Sequence, residues 1–195
     1  MCDGITFEIF KMPLSEEDFY KEYPFLEQYR ETVESGYKAS SRRKEILSEK
    51  IMLRKLFPNE DVKLTHNEDG RPFLSNGMNV SISHTKNYLA IIVSRDKNVA
   101  LDIEHVSDRV KRVGRMYLRK DENYTEINEM LVVWCLKETM YKLFSSQNLT
   151  FEEIHVHPFS AEDHGTVYAD NLKSGDTITL TYSVNDEYVI TKAYK

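Results

Sequence analysis

The segment from Ser40 to Phe57 constrains the fold more than any other part of the sequence. Its apolar residues fall near helical spacing, and Pro58 stands just beyond its end. A second long segment with the features of a helix extends from Tyr124 to Phe144. Short stretches that are typical of strands follow both segments. This mixture of helices and strands predicts an α+β fold.

The remaining elements are shorter, and turn-forming residues separate them. An acidic helical stretch is predicted at Ser15–Ser35, and a turn at Asn67–Pro72. The predicted strands are Gly4–Phe10, Val80–Ser83, Tyr88–Ser94, Val99–Glu104, Ile154–Pro158, Thr166–Ala169, Thr177–Tyr182 and Tyr188–Thr191.

Composition and charge limit the kinds of partner. A chain of 195 residues with 41% hydrophobic and 30% charged side chains has the composition of a soluble globular protein. Its length suffices for one medium domain or two small ones. The net charge of −6 gives no general attraction to nucleic acid or to an anionic membrane. An anionic ligand would therefore need a local cluster of basic residues.

The cysteines and the first residues indicate a compartment. Cys2 and Cys135 lie far apart in the sequence, which argues against a disulfide framework. Residues 1–10 lack the basic region and the long apolar stretch of a signal peptide, and no apolar stretch approaches the length that spans a bilayer. We therefore expect a cytoplasmic protein that does not associate with membranes.

The tripeptide Asp102-Ile103-Glu104 ends a predicted strand. Alternate residues of a strand share a face, so Asp102 and Glu104 are predicted to project together while Ile103 points into the core. Two neighbouring carboxylates repel each other unless a cation or a proton lies between them. Hard oxygen ligands of this kind suit Mg²⁺, which commonly joins one or two carboxylates to substrate phosphates. The alternative interpretation is a solvated acidic strand end.

The second long helix carries Glu138 and Lys142, which are four residues apart and therefore lie on one face. Glu138 could supply a third carboxylate to a metal while Lys142 meets a phosphate oxygen. The alternative is an ordinary helix pair that contributes a few tenths of a kcal/mol. Trp134 and Met140, on the same helix, are interpreted as core residues.

Two further segments offer groups that suit a phosphate. His84 follows a strand and has hydroxyl side chains beside it in Ser81-Ile82-Ser83-His84-Thr85. Arg71 stands between Gly70 and Pro72, and an arginine can hold a phosphate through two parallel hydrogen bonds. Considered singly, the first segment is more often structural, and the second is a basic turn.

Taken together and in this order, the four elements resemble the 4′-phosphopantetheinyl transferase superfamily, in its double-length, Sfp-like branch. That family has a Gly-Lys/Arg-Pro turn, Ser-His after a strand, Gly-x-Asp-x-Glu, and Trp-x-x-Lys-Glu-x-x-x-Lys. The resemblance covers about residues 40 to 149, and it departs from the pattern at Ala100, where Gly is usual. The matching residues here are Gly70-Arg71-Pro72, Ser83-His84, Ala100-Leu101-Asp102-Ile103-Glu104 and Trp134-Cys135-Leu136-Lys137-Glu138 with Lys142.

The resemblance implies a pseudo-twofold molecule of two similar α+β halves, residues 1–98 and 99–195, with coenzyme A in the cleft between them. It also implies that Asp102, Glu104 and Glu138 ligate Mg²⁺, for which Mn²⁺ could substitute. The residues that would contact coenzyme A are Arg42, Arg43, Arg71, Pro72, Ser83, His84 and Lys142.

The implied activity is Mg²⁺-dependent transfer of the phosphopantetheine arm of coenzyme A to a serine of an apo carrier protein, with release of adenosine 3′,5′-bisphosphate. This is holo-acyl-carrier-protein synthase activity, and the carrier could be of the acyl, peptidyl or polyketide type. Lys142 would neutralise the pyrophosphate, and Glu138 could also remove the serine proton. A double-length chain can complete its cleft alone, so we expect a monomer.

Three other interpretations compete with this one. A non-catalytic relative could bind coenzyme A or a carrier protein, but the complete set of carboxylates together with Lys142 argues against it. A nucleic-acid-binding module could use the basic side of Ser40–Phe57, but the chain is acidic and has no nucleic-acid motif. His155-x-His157 could indicate zinc. No Cys or further His stands at ligand spacing, so this pair is interpreted as a strand surface.

Overall fold

The computed structural model describes residues 4–68 and 70–195, and they form an α+β fold as predicted. The first part contains β1 (Ile5–Lys11), α1 (Glu16–Glu22), α2 (Arg30–Gly36), α3 (Ser40–Leu56), β2 (Leu64–His66), β3 (Pro72–Leu74), β4 (Asn79–Thr85) and β5 (Tyr88–Ser94). The second part contains β6 (Val99–His105), α4 (Arg109–Tyr117), α5 (Ile127–Leu143), β7 (Ile154–Val156), β8 (His164–Asn171), β9 (Asp176–Val184) and β10 (Tyr188–Tyr194).

The strands form two antiparallel sheets and one hairpin. The first sheet has the order β1-β5-β4, and the second has the order β6-β10-β9-β8-β7. Strands β2 and β3 pair with each other as a separate hairpin. One apolar cluster lies between α3 and the first sheet, and a second lies between α5 and the second sheet.

A third apolar cluster joins the two sheets. It contains Ala90 and Ile92 of β5, Leu101 and Ile103 of β6, and Ile190 of β10. All five side chains are buried. This shared core fixes the end of β4 and the end of β6 beside each other, which is where the candidate functional residues lie. The division into halves at residues 98 and 99 and their pseudo-twofold relation remain predictions.

Local chemistry explains where several helices begin and end. Ser15 and Asp18 form a reciprocal capping box at the start of α1. Pro24 cannot continue that helix, because it lacks a backbone N–H, and it begins a short 3₁₀ segment instead. The stretch predicted as one acidic helix at Ser15–Ser35 is therefore divided into three pieces. Helix α5 begins three residues later than predicted, at Ile127.

Some predictions fall outside the described residues. Cys2 does, so its pairing is not addressed, and so does Asp69 within the predicted turn. Cys135 is a buried free thiol. Among the described residues, none of the helices has both the length and the apolar character needed to cross a bilayer.

Candidate active site

Strands β4 and β6 lie side by side in the same direction, and hydroxyl side chains of β4 join them. The hydroxyls of Ser81 and Thr85 accept hydrogen bonds from backbone N–H groups of β6, at 3.2 and 3.0 Å. Between them, Ser83 Oγ donates to Asp102 Oδ1 at 2.7 Å. These hydroxyls therefore hold the two strands together and orient Asp102. The proposed role of Ser83 beside coenzyme A remains a prediction.

Asp102 is the most unusual side chain of this junction. Only 7% of its side chain is exposed, and Lys142 Nζ lies 2.7 Å from the same Oδ1 that Ser83 contacts. Lys142 Nζ also donates to the backbone oxygen of Leu101 at 3.0 Å. The other oxygen, Oδ2, is buried and has no hydrogen-bond partner among the described residues. A buried carboxylate oxygen without a hydrogen-bond partner is costly, so this oxygen is suited to ligate a cation.

Glu104 and Glu138 complete an acidic cluster around Asp102. Trp134 Nε1 donates to Glu104 Oε1 at 3.1 Å. Burial, followed by the charge of Asp102, raises the pKa of Glu104, and the same two causes in the same order raise the pKa of Glu138. Both effects show that the three carboxylates share one electrostatic environment, because a neighbouring like charge disfavours ionisation. Lys142 opposes the rise at both glutamates.

Cys135 lies on the buried side of this cluster. Burial, followed by the charges of Asp102 and Glu104, raises the pKa of the Cys135 thiol well above its ordinary value. The thiol is therefore protonated, and its sulfur lies 3.9 Å from the backbone oxygen of Val189. A neutral thiol offers Asp102 only a weak S–H donor and no compensating charge, whereas Lys142 brings a positive charge to 2.7 Å from Oδ1 of this carboxylate.

The donor set fits a hard cation. The unpartnered oxygen of Asp102 and the mutual repulsion of the three carboxylates would both be relieved by Mg²⁺, which prefers oxygen ligands. Among the described residues, Asp102, Glu104 and Glu138 do not bring one oxygen each within 4.8 Å of the others. Binding of an ion would therefore require rotation of at least one glutamate side chain.

A cleft of about 390 Å³ opens beside Glu138, the carboxylate of the cluster that lines it. Arg71 and Pro72 line one side of it, while Glu138 and Lys142 line the other. Its volume lies within the range of about 300–1,000 Å³ that is usual for small-molecule sites. Asn148, which also lines the cleft, has a left-handed backbone, φ 48°. Asparagine tolerates that conformation better than most residues other than glycine.

Arg42 and Arg43, which are neighbours in α3, have different environments. Arg42 Nη1 lies 2.9 Å from Glu45 Oε2, and Glu45 Oε1 lies 3.1 Å from His84 Nε2. Burial lowers the pKa of His84, and Glu45 opposes that effect. The charges of Arg42, Lys142 and Asp102 also reach His84. This network therefore places Arg42 and His84 on the side of the site that holds Lys142.

Arg43 instead forms an ion pair with Glu16 of α1, in which Nε and Nη2 lie 2.7 and 2.9 Å from the two carboxylate oxygens. It also donates to two backbone oxygens just before α3. These contacts hold α3 against α1 and against the residues that immediately precede α3. The structure thus connects Arg42 to His84 through Glu45 but ties Arg43 to a structural ion pair.

A second recess, of about 320 Å³, also borders Glu104. Trp134, Phe151 and the exposed Met116 give it an apolar lining. Helix α4 forms one wall and adds Arg109 to the lining. The further exposed basic residues of this helix are Lys111, Arg112 and Arg115.

Sequence reasoning missed two contributors to the site. Trp134 was interpreted as core, yet its indole N–H holds Glu104. Its position four residues before Glu138 places both on one face of α5, and that spacing was the available signal. Glu45, which links Arg42 to His84, sits three residues after Arg42 in the sequence. Glu45 meets His84 of β4 only through tertiary packing, so the spacing of residues in the sequence does not reveal this contact.

Comparison with known proteins gives a distant relative. The 4′-phosphopantetheinyl transferase gsp of Aneurinibacillus migulanus is 24% identical to this chain over 107 residues. The match covers 50% of this chain and 45% of that protein, so the chain matches less than half of the length of its relative. No family model matches the sequence. The similarity supports membership of the 4′-phosphopantetheinyl transferase superfamily.

Proposed function

We propose that this chain is a 4′-phosphopantetheinyl transferase, which moves the phosphopantetheine arm of coenzyme A to a serine of an apo carrier protein. The observation that carries the proposal is Asp102, a buried carboxylate that has one oxygen on Lys142 and the other without a described partner. Glu104, Glu138 and a cleft with basic residues adjoin it. Similarity to a protein of that activity supports the same conclusion.

Coenzyme A would lie in the cleft of about 390 Å³. Its pyrophosphate would meet Lys142 at the deep side, where Glu138 also lines the wall. Its other phosphate would meet Arg71, which lines the cleft, and Arg42 with His84, which the charge of Lys142 also reaches. This placement uses the local cluster of positive charge that an acidic chain needs to hold an anionic ligand.

The reaction is a phosphoryl transfer. The serine oxygen forms a new bond to the β-phosphorus, the bond from that phosphorus to the bridging oxygen breaks, and adenosine 3′,5′-bisphosphate leaves. Lys142 offsets the charge that grows on the leaving group. Glu138 would receive the serine proton, and its partial burial and its position on the cleft wall support this role. When bound by Asp102, Glu104 and Glu138, Mg²⁺ would supply further positive charge to the two phosphates.

The carrier protein would approach over the second recess, beside Glu104. Its apolar lining of Met116, Trp134 and Phe151 suits an apolar side chain of the partner, and the exposed basic residues of α4 suit an acidic surface. This approach would bring the acceptor serine to the acidic cluster from the side opposite the basic residues of the coenzyme A cleft.

A non-catalytic relative that binds coenzyme A or a carrier protein remains the second candidate. It would need neither a cation site nor a lysine at the pyrophosphate. The buried, unpartnered oxygen of Asp102 and its contact with Lys142 favour the enzyme, because both features are costly to keep in a protein that only binds.

The test is incubation of the protein with Mg²⁺, coenzyme A and a panel of apo acyl, peptidyl and polyketide carrier proteins. Intact mass spectrometry would show addition of one phosphopantetheine arm to an accepted carrier. An Asp102→Asn protein, which keeps the shape of the side chain, is the matched control and should be inactive. Coenzyme A binding in calorimetry without transfer to any carrier would favour the non-catalytic relative.

A further inference from the structure

Two histidines and an aspartate meet on one face of the second sheet. His155 lies directly opposite Asp170 in the pairing of β7 with β8. His157, two residues after His155, points to the same side of the chain. The neighbouring Val156 and Ala169 are buried on the opposite side. Strand pairing therefore places three potential metal ligands together on a face that solvent reaches.

We propose that His155, His157 and Asp170 bind a divalent transition metal of the zinc type. His157 Nε2 lies 2.8 Å from Asp170 Oδ2, and His155 Nδ1 lies 3.4 Å from the same oxygen. One donor atom from each residue lies within 4.8 Å of the other two. Ligands about 2.1 Å from a tetrahedral zinc are about 3.4 Å apart, so small side-chain rotations would enclose an ion.

Neighbouring groups hold two of the three ligands, Asp170 and His157, in place. Thr177 Oγ1 donates to Asp170 Oδ1 at 2.7 Å, which leaves Oδ2 directed toward the histidines. The backbone of His157 is fixed on both sides, because its N–H donates to the backbone oxygen of Tyr168 at 2.9 Å and its oxygen accepts from Tyr124 Oη at 3.2 Å. Hydrogen bonds of this kind orient metal ligands and raise affinity.

The exposure of the cluster suits an ion that enters from solvent. The side chains of His155, His157 and Asp170 are 31%, 40% and 25% exposed. They are covered enough to be ordered, while water could complete the coordination. Two imidazoles with one carboxylate suit zinc and its neighbours in the first transition row, whereas Mg²⁺ prefers oxygen ligands.

The cluster is separate from the acidic site around Asp102. Strand β7, which carries His155, is at one edge of the second sheet, and β6, which carries Asp102, is at the other. Four strand spacings of about 4.8 Å separate these edges, or roughly 19 Å along the sheet. A metal at His155 would hold the three-residue edge strand β7 to β8, and it would not contact the phosphates of a ligand in the cleft.

The same side chains could form two hydrogen bonds to Asp170 Oδ2 with no metal. A metal would use the same oxygen and the same ring nitrogens, with both imidazoles neutral. The two arrangements differ in one measurable property, which is the response of these rings to zinc.

The experiment is a zinc titration of the complete chain with excess Mg²⁺ present, so that oxygen-rich sites are filled. NMR should show that about one equivalent of zinc shifts the side-chain signals of His155 and His157, and the melting temperature should rise with zinc concentration. Absence of zinc binding, or binding that leaves both sets of signals unchanged, would overturn the proposal.

Variants give a second test. His155→Gln and His157→Gln should each weaken zinc binding at least tenfold, while His164→Gln, an exposed histidine at the start of β8, should leave it unchanged. Thr177→Val keeps all three ligands and should weaken binding by roughly ten- to a hundredfold. If a histidine variant does not fold, the Thr177→Val variant and the zinc titration of the unchanged chain still test the proposal. Unchanged zinc affinity in folded His155→Gln and His157→Gln proteins would contradict the proposal.

Discussion

Lys142 Nζ lies 2.7 Å from Asp102 Oδ1, so the lysine expected to meet a phosphate is paired with a carboxylate expected to hold a metal. Lys142 also lines the cleft of about 390 Å³. In this arrangement, Lys142 supplies the positive charge that the acidic cluster lacks. The contact links the two proposed functions of the site, because a ligand that draws Lys142 away would leave Asp102 in need of a cation.

This contact predicts a stability effect that depends on Mg²⁺. A Lys142→Ala protein leaves Asp102 buried with Ser83 as its nearest donor, and this should lower the free energy of unfolding by about 1–3 kcal/mol in a chelating buffer. Mg²⁺ should restore part of that loss. Denaturant titration with EDTA and with Mg²⁺ would measure both values. An equal loss under the two conditions would show that no cation replaces the lysine.

The same variant tests catalysis. Lys142→Ala should lower kcat more than it raises KM, because the charge that Lys142 offsets grows as the leaving group departs. Steady-state transfer to an accepted apo carrier protein would give both constants. A Lys142→Arg protein is the matched control, since it keeps the charge. A normal kcat in the alanine variant would assign Lys142 to structure alone.

The hydrogen bond from Trp134 to Glu104 is expected to influence the affinity of the site for Mg²⁺. Trp134→Phe removes the N–H that holds Glu104 but keeps an aromatic ring against Tyr117 and Phe151. The Mg²⁺ concentration for half-maximal transfer should rise roughly tenfold or more, as for other groups that orient ligands. A melting curve on the same sample controls for packing. An unchanged Mg²⁺ requirement would mean that the hydrogen bond does not position Glu104.

Arg42 and Arg43 provide a matched pair of variants. Arg42 stands in the network with His84, so Arg42→Gln should weaken coenzyme A binding by roughly ten- to a hundredfold. If Arg42 contacts the 3′-phosphate, the same substitution should weaken the binding of dephospho-coenzyme A, which lacks that phosphate, by a smaller factor. Arg43→Gln should leave affinity unchanged and lower the melting temperature, because Arg43 is paired with Glu16. Calorimetry with both ligands would measure these effects, and a larger loss from Arg43→Gln would reverse the assignment.

Periodicity was sufficient to predict the main elements. Helices α3 and α5 and the strands at Tyr88–Ser94 and Val99–His105 lie close to their predicted bounds. The hairpin of β2 with β3 was not predicted, because strands of three residues show too little alternation. Helix α4 was also missed, although Val110, Val113 and Tyr117 fall at helical spacing, because its nine residues repeat that pattern over little more than two turns.

The choice of partners could not be predicted, because tertiary packing decides it. Lys137 stands next to Glu138 in the same motif, yet it is fully buried and its Nζ lies 2.7 Å from Glu122 Oε2. In the same way, no Cys or further His stands at ligand spacing from His155 and His157, so the sequence did not indicate a third ligand. Strand pairing supplies it from Asp170, which lies 15 residues from His155.

Glu49 on α3 provides a pH-dependent contribution to stability. Only 8% of this residue is exposed, and burial raises the pKa of Glu49 from 4.5 to about 7, although Arg42 opposes the rise. At pH values between 4.5 and about 7, Glu49 is deprotonated in the unfolded chain but remains protonated in the folded chain. Stability contributed by the protonated group is therefore fully present below pH 4.5 and is lost as pH rises through 7, with an upper limit of about 3 kcal/mol.

Glu49→Gln should therefore remove a fall in stability between pH 5 and pH 8. The variant should match the unchanged chain near pH 5 and exceed it at pH 8, because glutamine never acquires the buried charge that Glu49 must carry there. Denaturant titrations at the two pH values would measure the difference. Glu31→Gln, at an exposed position of α2, is the control and should shift neither value by more than about 0.5 kcal/mol. If the free energy of unfolding of Glu49→Gln falls with pH as steeply as that of the unchanged chain, another group causes the fall. In that case Arg42 stabilises the buried carboxylate of Glu49 well enough for it to stay ionised.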